Sequence, residues 1–401
     1  MVISRKNTMA FLLFLPFLKP SSLEYVTPIL DTAMDVGVML SLLTLLFQWL
    51  QYDRRIDWFG FGLFLFWSFH GIVTQFNHGM LFTWMVAAGK TIAAYLYVRI
   101  WIIKKKVSYK PLYYALYTLF VLNILSFIVF RNGLYSYQED TSEGAQSWIL
   151  GYKNAYFNLF FFAFFLRWLI LHEKASHPKK GRGITFNVES VFFYLVGCVN
   201  VFIVSKSSTT MIGFLIMLTI PFVASYIAKD RKFIALYVGL IVLAYTILIF
   251  IQNPTVIAWI METTGKDWTL ATRFRIWRNT LDAIPEHLWF GHGFEHEDTL
   301  RRTIAQTTSH NKPLWIMYRG GIVSTLLYGM MILKSLANIH KNYSLYISRE
   351  CALLLFALMV TWLTEVHDNS VLIFTFFACC VYFDEIIERK RLSSLIRGVE
   401  K

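Results

Sequence analysis

Apolar runs of about twenty residues alternate with short polar connections along the whole chain, the pattern of helices long enough to cross a bilayer. They cover roughly residues 8–22, 28–50, 57–75, 80–103, 111–131, 153–172, 188–206, 209–228, 232–252, 313–334, 348–365 and 369–387. The pattern predicts an all-α, polytopic membrane protein of about twelve transmembrane helices. The first run is interrupted by Pro16 and Pro20. It is short and lacks a small-residue cleavage site, so it reads as a retained helix rather than a leader. One connection, Gln252 to Lys312, is far longer than the rest and predicts a large extracytoplasmic loop containing short helices. The expected organisation is helices 1–9 over residues 1–252, the loop over 253–312, and helices 10–12 with a cytoplasmic tail over 313–401.

Charge gives the expected orientation. Every second connection is basic: Arg5-Lys6, Arg54-Arg55, Lys104-Lys105-Lys106, Lys174 to Arg182, Lys229 to Lys232, Lys334 to Arg349 and Arg389 to Lys401. Basic short loops stay on the cytoplasmic side, so both termini are expected there. The other connections are short, apart from the long loop and the stretch Asn132 to Tyr152 with its acidic Glu139, Asp140 and Glu143.

Composition agrees. Hydrophobic residues make up 56% of the 401 and charged residues 16%, well below the roughly 25% charged of soluble domains. A net charge of +13 would suit a nucleic-acid binder, but its confinement to one set of short loops gives it an orienting role instead, and no nucleic-acid partner is expected. Cys198, Cys351, Cys379 and Cys380 all fall in apolar segments and read as core thiols rather than a disulfide framework.

The long loop holds the candidate chemistry. Residues 272–284 are predicted to form a helix, capped by Thr272 and ended by Pro285. Ile276, Trp277, Thr280, Leu281 and Ile284 share one face, the spacing of an amphipathic helix at a membrane surface. Arg273 points with that apolar face, whereas Arg275 and Arg278 lie opposite. An inward arginine calls for an anionic partner such as a lipid diphosphate, and the plain alternative is that the arginines anchor lipid headgroups. Gly291-His292-Gly293-Phe294 follows, where two glycines permit a tight turn and a close backbone approach to a ligand. Glu295, His296, Glu297 and Asp298 resemble a metal cluster, but acids at the start of a short helix through Leu300 to Ile304 explain them more simply; no metal is expected. Ser309-His310-Asn311 closes the loop. Imidazole is the side chain whose charge changes near neutral pH, which suits removal of a proton from a sugar hydroxyl. A lone histidine at a helix start is as readily structural. Lys90, Lys206 and the group Glu365, His367 and Asp368 lie in or at the ends of apolar runs, where charge is costly and usually faces a cavity.

The order Arg273…Trp277, Pro285, Gly291-His292-Gly293-Phe294, His310-Asn311 and Gly321 resembles the bacterial O-antigen ligase and O-antigen polymerase family, and the resemblance extends to the twelve-span layout with one late outer loop. The family often carries an arginine after a serine near the outer end of the preceding helix pair; here the stretch reads Lys206-Ser207-Ser208-Thr209, and a lysine stands in. The resemblance implies cofactor- and metal-independent, inverting glycosyl transfer from an undecaprenyl-diphosphate-linked oligosaccharide. It implies diphosphate binding by Arg273 with Arg275 or Lys206, and proton removal by His310. Asn311, Trp277, Gly291, Gly293, Lys90 and Glu365 would support them. It implies a bacterial inner membrane with the active site on its extracytoplasmic face, membrane lipids as partners, and room for a flippase and a chain-length regulator beside them. Two acceptors fit: another lipid-linked repeat, for a polymerase of O-antigen, capsule or exopolysaccharide, or a different acceptor such as lipid A-core, for a ligase. The sparse outer connections favour the polymerase. A lipid-linked sugar transporter is the rival of another class, and would place its polar residues at mid-membrane depth.

Overall fold

The computed structural model describes residues 4–388 apart from 138–144, 152, 175–187, 231, 251–261, 263–266, 368 and 369. The acidic group Glu139, Asp140 and Glu143, the first part of the long loop, Asp368 and the basic C-terminal segment therefore lie outside the described residues.

The chain is a helical, multi-pass membrane protein. Among the described residues, eight helical segments are long and apolar enough to cross a bilayer: Pro28–Tyr52, Trp58–Phe76, Leu81–Lys104, Lys110–Val129, Lys153–His172, Val188–Ser205, Ser208–Ile227 and Lys312–Lys341. Two apolar stretches, Lys232–Ile247 and Val371–Val381, are shorter. The helix Tyr346–Trp362 has 17 residues and buries Arg349 and Glu350. The expected run 8–22 breaks. Helix α1 (Arg5–Phe14) gives way to a 3-10 turn, Leu15–Leu18, at Pro16, whose ring removes a backbone donor and crowds the preceding turn. A short helix α2 (Leu23–Val26) then leads into α3 (Pro28–Tyr52).

The remaining helices follow in order: α4 (Trp58–Phe76), α5 (Leu81–Tyr97), α6 (Lys110–Val129), α7 (Tyr156–Lys174), α8 (Val188–Cys198), α9 (Ser208–Tyr226), α10 (Lys232–Phe250), α11 (Asp267–Ala283), α12 (Glu297–Ile304), α13 (Lys312–Lys341), α14 (Tyr346–Trp362) and α15 (Ser370–Val381). Wider π-turns prolong α5 over Val98–Lys104 and α8 over Val199–Ser205. A two-stranded antiparallel hairpin, β1 (Tyr135–Tyr137) with β2 (Ala145–Ser147), pairs Tyr135 with Ser147 and Tyr137 with Ala145. It is a small exception to the all-α expectation.

Helix α7 is the central post. Its sequence is aromatic on every side, and a helix apolar all round must be surrounded. Phe157, Phe160, Phe161, Phe162, Phe164 and Phe165 are all fully buried, against α6, α9, α14 and α15. Around it α14 packs on α9, α13 on α4, and α15 on α5. Cys351, Cys379 and Cys380 are buried and Cys198 half-buried, the core positions expected.

Charged connections collect at two ends. Arg99 at the end of α5 pairs with Asp53 and Asp57 of the α3–α4 turn, and Lys104 with Asp53. At the other end, the α4–α5 turn, the start of α7, the α8–α9 turn, the loop before α13 and the end of α14 come together through the bonds described below. These are connections without basic runs.

Candidate functional site

Helix α11 brings the first charge to this end. It starts at Asp267, five residues before the predicted cap, so Thr272 lies within the helix; its end at Ala283, with Pro285 in the 3-10 turn Ile284–His287, is as predicted. The expected apolar face is the buried one. Ile276, Trp277 and Thr280 are almost wholly enclosed, and Trp277 meets Phe274 edge-on, with ring centroids 5.3 Å apart. Leu300 and Ile304 of α12 and Leu314 and Trp315 of α13 complete this small outer core. Arg273 follows the buried face inward, whereas Arg275 and Arg278 are exposed.

Arg273 finds its anion within the protein. Its Nη2 lies 2.8 Å from Glu365 Oε1. Glu365 stands in the turn after α14, bonded through its backbone N–H to Thr361 O at 3.0 Å. Its other carboxylate oxygen, Oε2, lies 3.5 Å from His310 Nδ1. Asn154, in the 3-10 turn before α7, donates from Nδ2 to Oε1 at 2.6 Å. One buried carboxylate thus joins α11, the start of α13 and the start of α7. Burial pushes its pKa up, but the hydrogen bond and charge of His310 and the charges of Arg273 and His367 outweigh that, and hold the carboxyl below its ordinary range.

His310 is held by its neighbours. It sits in the left-handed region at φ +49°, uncommon for a residue with a side chain and a mark of strain that the surroundings impose. Ser309 Oγ donates to Asn311 O at 2.8 Å. Asn311 caps α13 by accepting from Leu314 N at 3.1 Å, and donates from Nδ2 to Leu363 O at 2.9 Å. Its side chain is thereby occupied at both ends and buried; it fixes the backbone beside His310 rather than facing a substrate hydroxyl. His367, also left-handed at φ +50°, stacks on Phe157 with centroids 4.9 Å apart.

Lys206 borders this cluster. It is exposed and left-handed, at φ +52°, where the π-turn of α8 ends. Its neighbours anchor it to the start of α7: Ser205 Oγ donates to Lys153 O at 2.9 Å, and Ser207 Oγ to Asn154 Oδ1 at 2.5 Å. Lys90 belongs elsewhere. Its charged neighbours are Asp35, Lys19 and Asp31, and Lys19 bridges Asp31 and Asp35 at 2.9 Å each. Arg275 likewise is not brought to the cluster.

The glycine turn has a structural task. Gly291 and Gly293 adopt φ +74° and +77°. A Cβ on Gly291 would lie 2.4 Å from the Arg319 carbonyl carbon, and one on Gly293 2.8 Å from Thr74 Cα. What approaches these glycines is the backbone of α13 and α4. His292 N and Gly293 N donate to Tyr318 O and Arg319 O, at 2.9 and 2.8 Å. Helix α13 is broken there by Gly321, at φ +60° and ψ −161°, which frees carbonyls that a continuous helix would use. Asn77 Nδ2 donates to His292 O at 2.9 Å, and Met80 N to Phe294 O at 2.6 Å. The buried His292 imidazole lies on Tyr318 and 3.1 Å from Ala283 O; burial lowers its pKa. Glu295 accepts from the Tyr318 hydroxyl at 2.5 Å, and Glu297 and Asp298 are exposed in the first turn of α12.

Sequence reasoning missed Asn154 and underrated Glu365, which is the hub. Nothing around Asn154 but its place at the head of an apolar run could have marked it.

The arrangement offers a guanidinium for an anion and an imidazole for a proton, both steered by one carboxylate. A family model described as O-antigen ligase matches residues 193–329. A curated protein named O-antigen ligase, from Pseudomonas aeruginosa (strain PAO1), is 32% identical over 128 residues, which cover 31% of this chain. The aligned part amounts to 29% of that relative's own length. The family segment contains Lys206, Arg273, Gly291, Gly293, His310 and Asn311, and it bears out the resemblance of this chain to the O-antigen ligase and polymerase family.

Proposed function

We propose that the chain is a membrane glycosyltransferase that takes a glycan from a polyprenyl-diphosphate donor and joins it to a sugar hydroxyl on the outer face of a bacterial inner membrane. The observation that carries this reading is the convergence of Arg273 and His310 on Glu365, at the end of the bundle where the non-basic connections meet. Arg273 binds the diphosphate bidentately and Lys206 reaches it from the rim. His310 takes the proton of the acceptor hydroxyl as its oxygen bonds to the anomeric carbon. The anomeric carbon–oxygen bond breaks on the opposite side, with inversion, and its electron pair leaves on the diphosphate. Fixed cations around a leaving anion are most effective in a site shielded from water. The leaving group is already activated, so this chemistry needs no metal or cofactor.

The acceptor defines the finer reading. The short outer connections favour a second lipid-linked repeat, hence a polymerase. The family model and the relative, both described as O-antigen ligase, favour the second reading, a ligase. Purified protein in lipid nanodiscs would be given an undecaprenyl-diphosphate-linked repeat unit extracted from producing cells, with and without lipid A-core. A ladder of products from the repeat unit alone, lost in Arg273→Ala and His310→Ala, is expected. A single transfer that requires lipid A-core would establish the ligase. Full turnover in both variants would remove this site from the chemistry.

A further inference from the structure

Glu365 divides its two carboxylate oxygens between different partners. Oε1 takes Arg273 at 2.8 Å and Asn154 at 2.6 Å, and Oε2 faces His310 Nδ1 at 3.5 Å. The groups facing it are Arg273 from α11, His310 before α13, Asn154 before α7, and His367 two residues on. It lies outside the segment matched by the family model. Resting on the reading of Arg273 and His310 given above, we propose that Glu365 is a positioning residue that changes partners: it occupies Arg273 in the free protein and passes to His310 when a diphosphate takes Arg273.

The exchange follows from the geometry. A carboxylate and a phosphate oxygen are alternative acceptors for the same guanidinium edge, so donor binding and the Arg273–Glu365 pair compete. Glu365 stays in place when Arg273 leaves, because Asn154 still donates to Oε1 and is itself fixed by Ser207 at 2.5 Å. His310 is held as well, between the bonds of Ser309 and Asn311. With Arg273 withdrawn, the negative charge of the carboxylate acts on the two histidines that remain beside it, of which His310 is the one within hydrogen-bond distance of Oε2. A proton on His310 Nδ1 donated to Oε2 presents the Nε2 lone pair to the acceptor hydroxyl, as an oriented base requires. When that hydroxyl gives its proton to Nε2 and its oxygen bonds to the anomeric carbon, Glu365 stabilises the imidazolium while the diphosphate departs with the bonding electron pair. Base strength is thereby tied to the presence of a donor, which discourages activation of an acceptor at an empty site.

The test compares wild type, Glu365→Gln and Glu365→Asp in nanodiscs, with undecaprenyl diphosphate as the binding probe and repeat-unit transfer as the activity. Glutamine keeps the shape but not the charge. Expected is undecaprenyl diphosphate affinity equal to wild type or higher, with turnover reduced about 10²-fold, the scale of a lost oriented base, and partial recovery in Glu365→Asp. Selective 15N-histidine spectra, with the His310 signal identified by its loss in His310→Ala, should show an Nδ1-protonated ring whose imidazolium fraction at fixed pH rises when undecaprenyl diphosphate is added to wild type. That rise should vanish in Glu365→Gln. Affinity falling in step with turnover in a folded Glu365→Gln protein would overturn the exchange, as would an imidazolium fraction indifferent to undecaprenyl diphosphate in wild type. Should Glu365→Gln not fold, the Glu365→Asp and wild-type spectra still decide. Failure of the underlying reading has a different signature: Arg273→Ala would bind undecaprenyl diphosphate normally and His310→Ala would turn over normally.

Discussion

Asn311 ties the start of α13 to the end of α14, donating from Nδ2 to the Leu363 carbonyl at 2.9 Å while its Oδ1 caps Leu314 N at 3.1 Å. His310 precedes Asn311 by one residue and Glu365 follows Leu363 by two, so this one side chain ties together the backbones that carry them. Asn311→Ala should lose about 1 kcal/mol from the cap and about 1–3 kcal/mol from the buried carbonyl left without a donor, together with most transfer activity. Asn311→Asp keeps the cap acceptor and removes the donor, so it should fall between the two. Thermal unfolding and turnover, measured on the same preparations, would check this; an active, stable Asn311→Ala protein would contradict it.

Two of the three arginines of α11 should behave differently. Arg273 lies on the buried face against Glu365 and Arg275 on the exposed one. Arg273→Lys retains the charge but not the planar fork, and turnover should drop about tenfold or more, consistent with loss of a charge-assisted hydrogen bond. Arg275→Ala should stay close to wild type. Equal losses in the two would show that both reach the donor.

The docking of the glycine turn makes a steric prediction. Gly321 occupies a region of backbone conformation nearly reserved for glycine, which costs about 1–3 kcal/mol for other residues, and a Cβ there would lie 2.4 Å from Trp289 C. Gly291 is as tightly placed. Gly321→Ala and Gly291→Ala should each lower the yield of folded protein, whereas Gly239→Ala, with open space around its Cβ, should leave it unchanged or raise it. Size-exclusion profiles after detergent extraction would tell them apart.

Acid should weaken the fold in two stages. Burial lowers the pKa of His292, so its contribution is complete above the unfolded value of about 6.5 and is lost as pH falls through the lower folded value. Glu365 is also lowered; its contribution is complete above about 4.3 and is lost at more acid pH. The melting temperature should begin to fall below about pH 6 and fall again below about pH 4. His292→Gln should flatten the first stage and Glu365→Gln the second. A melting temperature constant from neutral to acid pH would contradict both assignments.

The sequence made the helical, multi-span character legible because hydropathy is a local signal. The buried face of α11 was legible for the same reason: its period is written in Ile276, Trp277 and Thr280. The start of that helix was not, because Thr272 has the chemistry of a cap wherever it falls and only the backbone shows that the turn before it is already helical. Asn154 meets Glu365 across 211 residues, and no local pattern records such a pairing. Gly291 and Gly293 were correctly read as permitting close approach, but the approaching body proved to be the protein itself, because the break at Gly321 could not be foreseen from a Gly-Gly pair within a helix.

The setting of α7 has a mechanical consequence. Asn154 stands at the head of the helix that is the most enclosed of the eight long spanning segments among the described residues. The amide that steadies Glu365 is therefore mounted on a strut packed on every side. A change deep in the bilayer, such as trimming Phe161 or Phe165, would touch no polar group and alter no charge. It would nonetheless let that strut shift, and the injury would surface about two to three helical turns away as slowed chemistry.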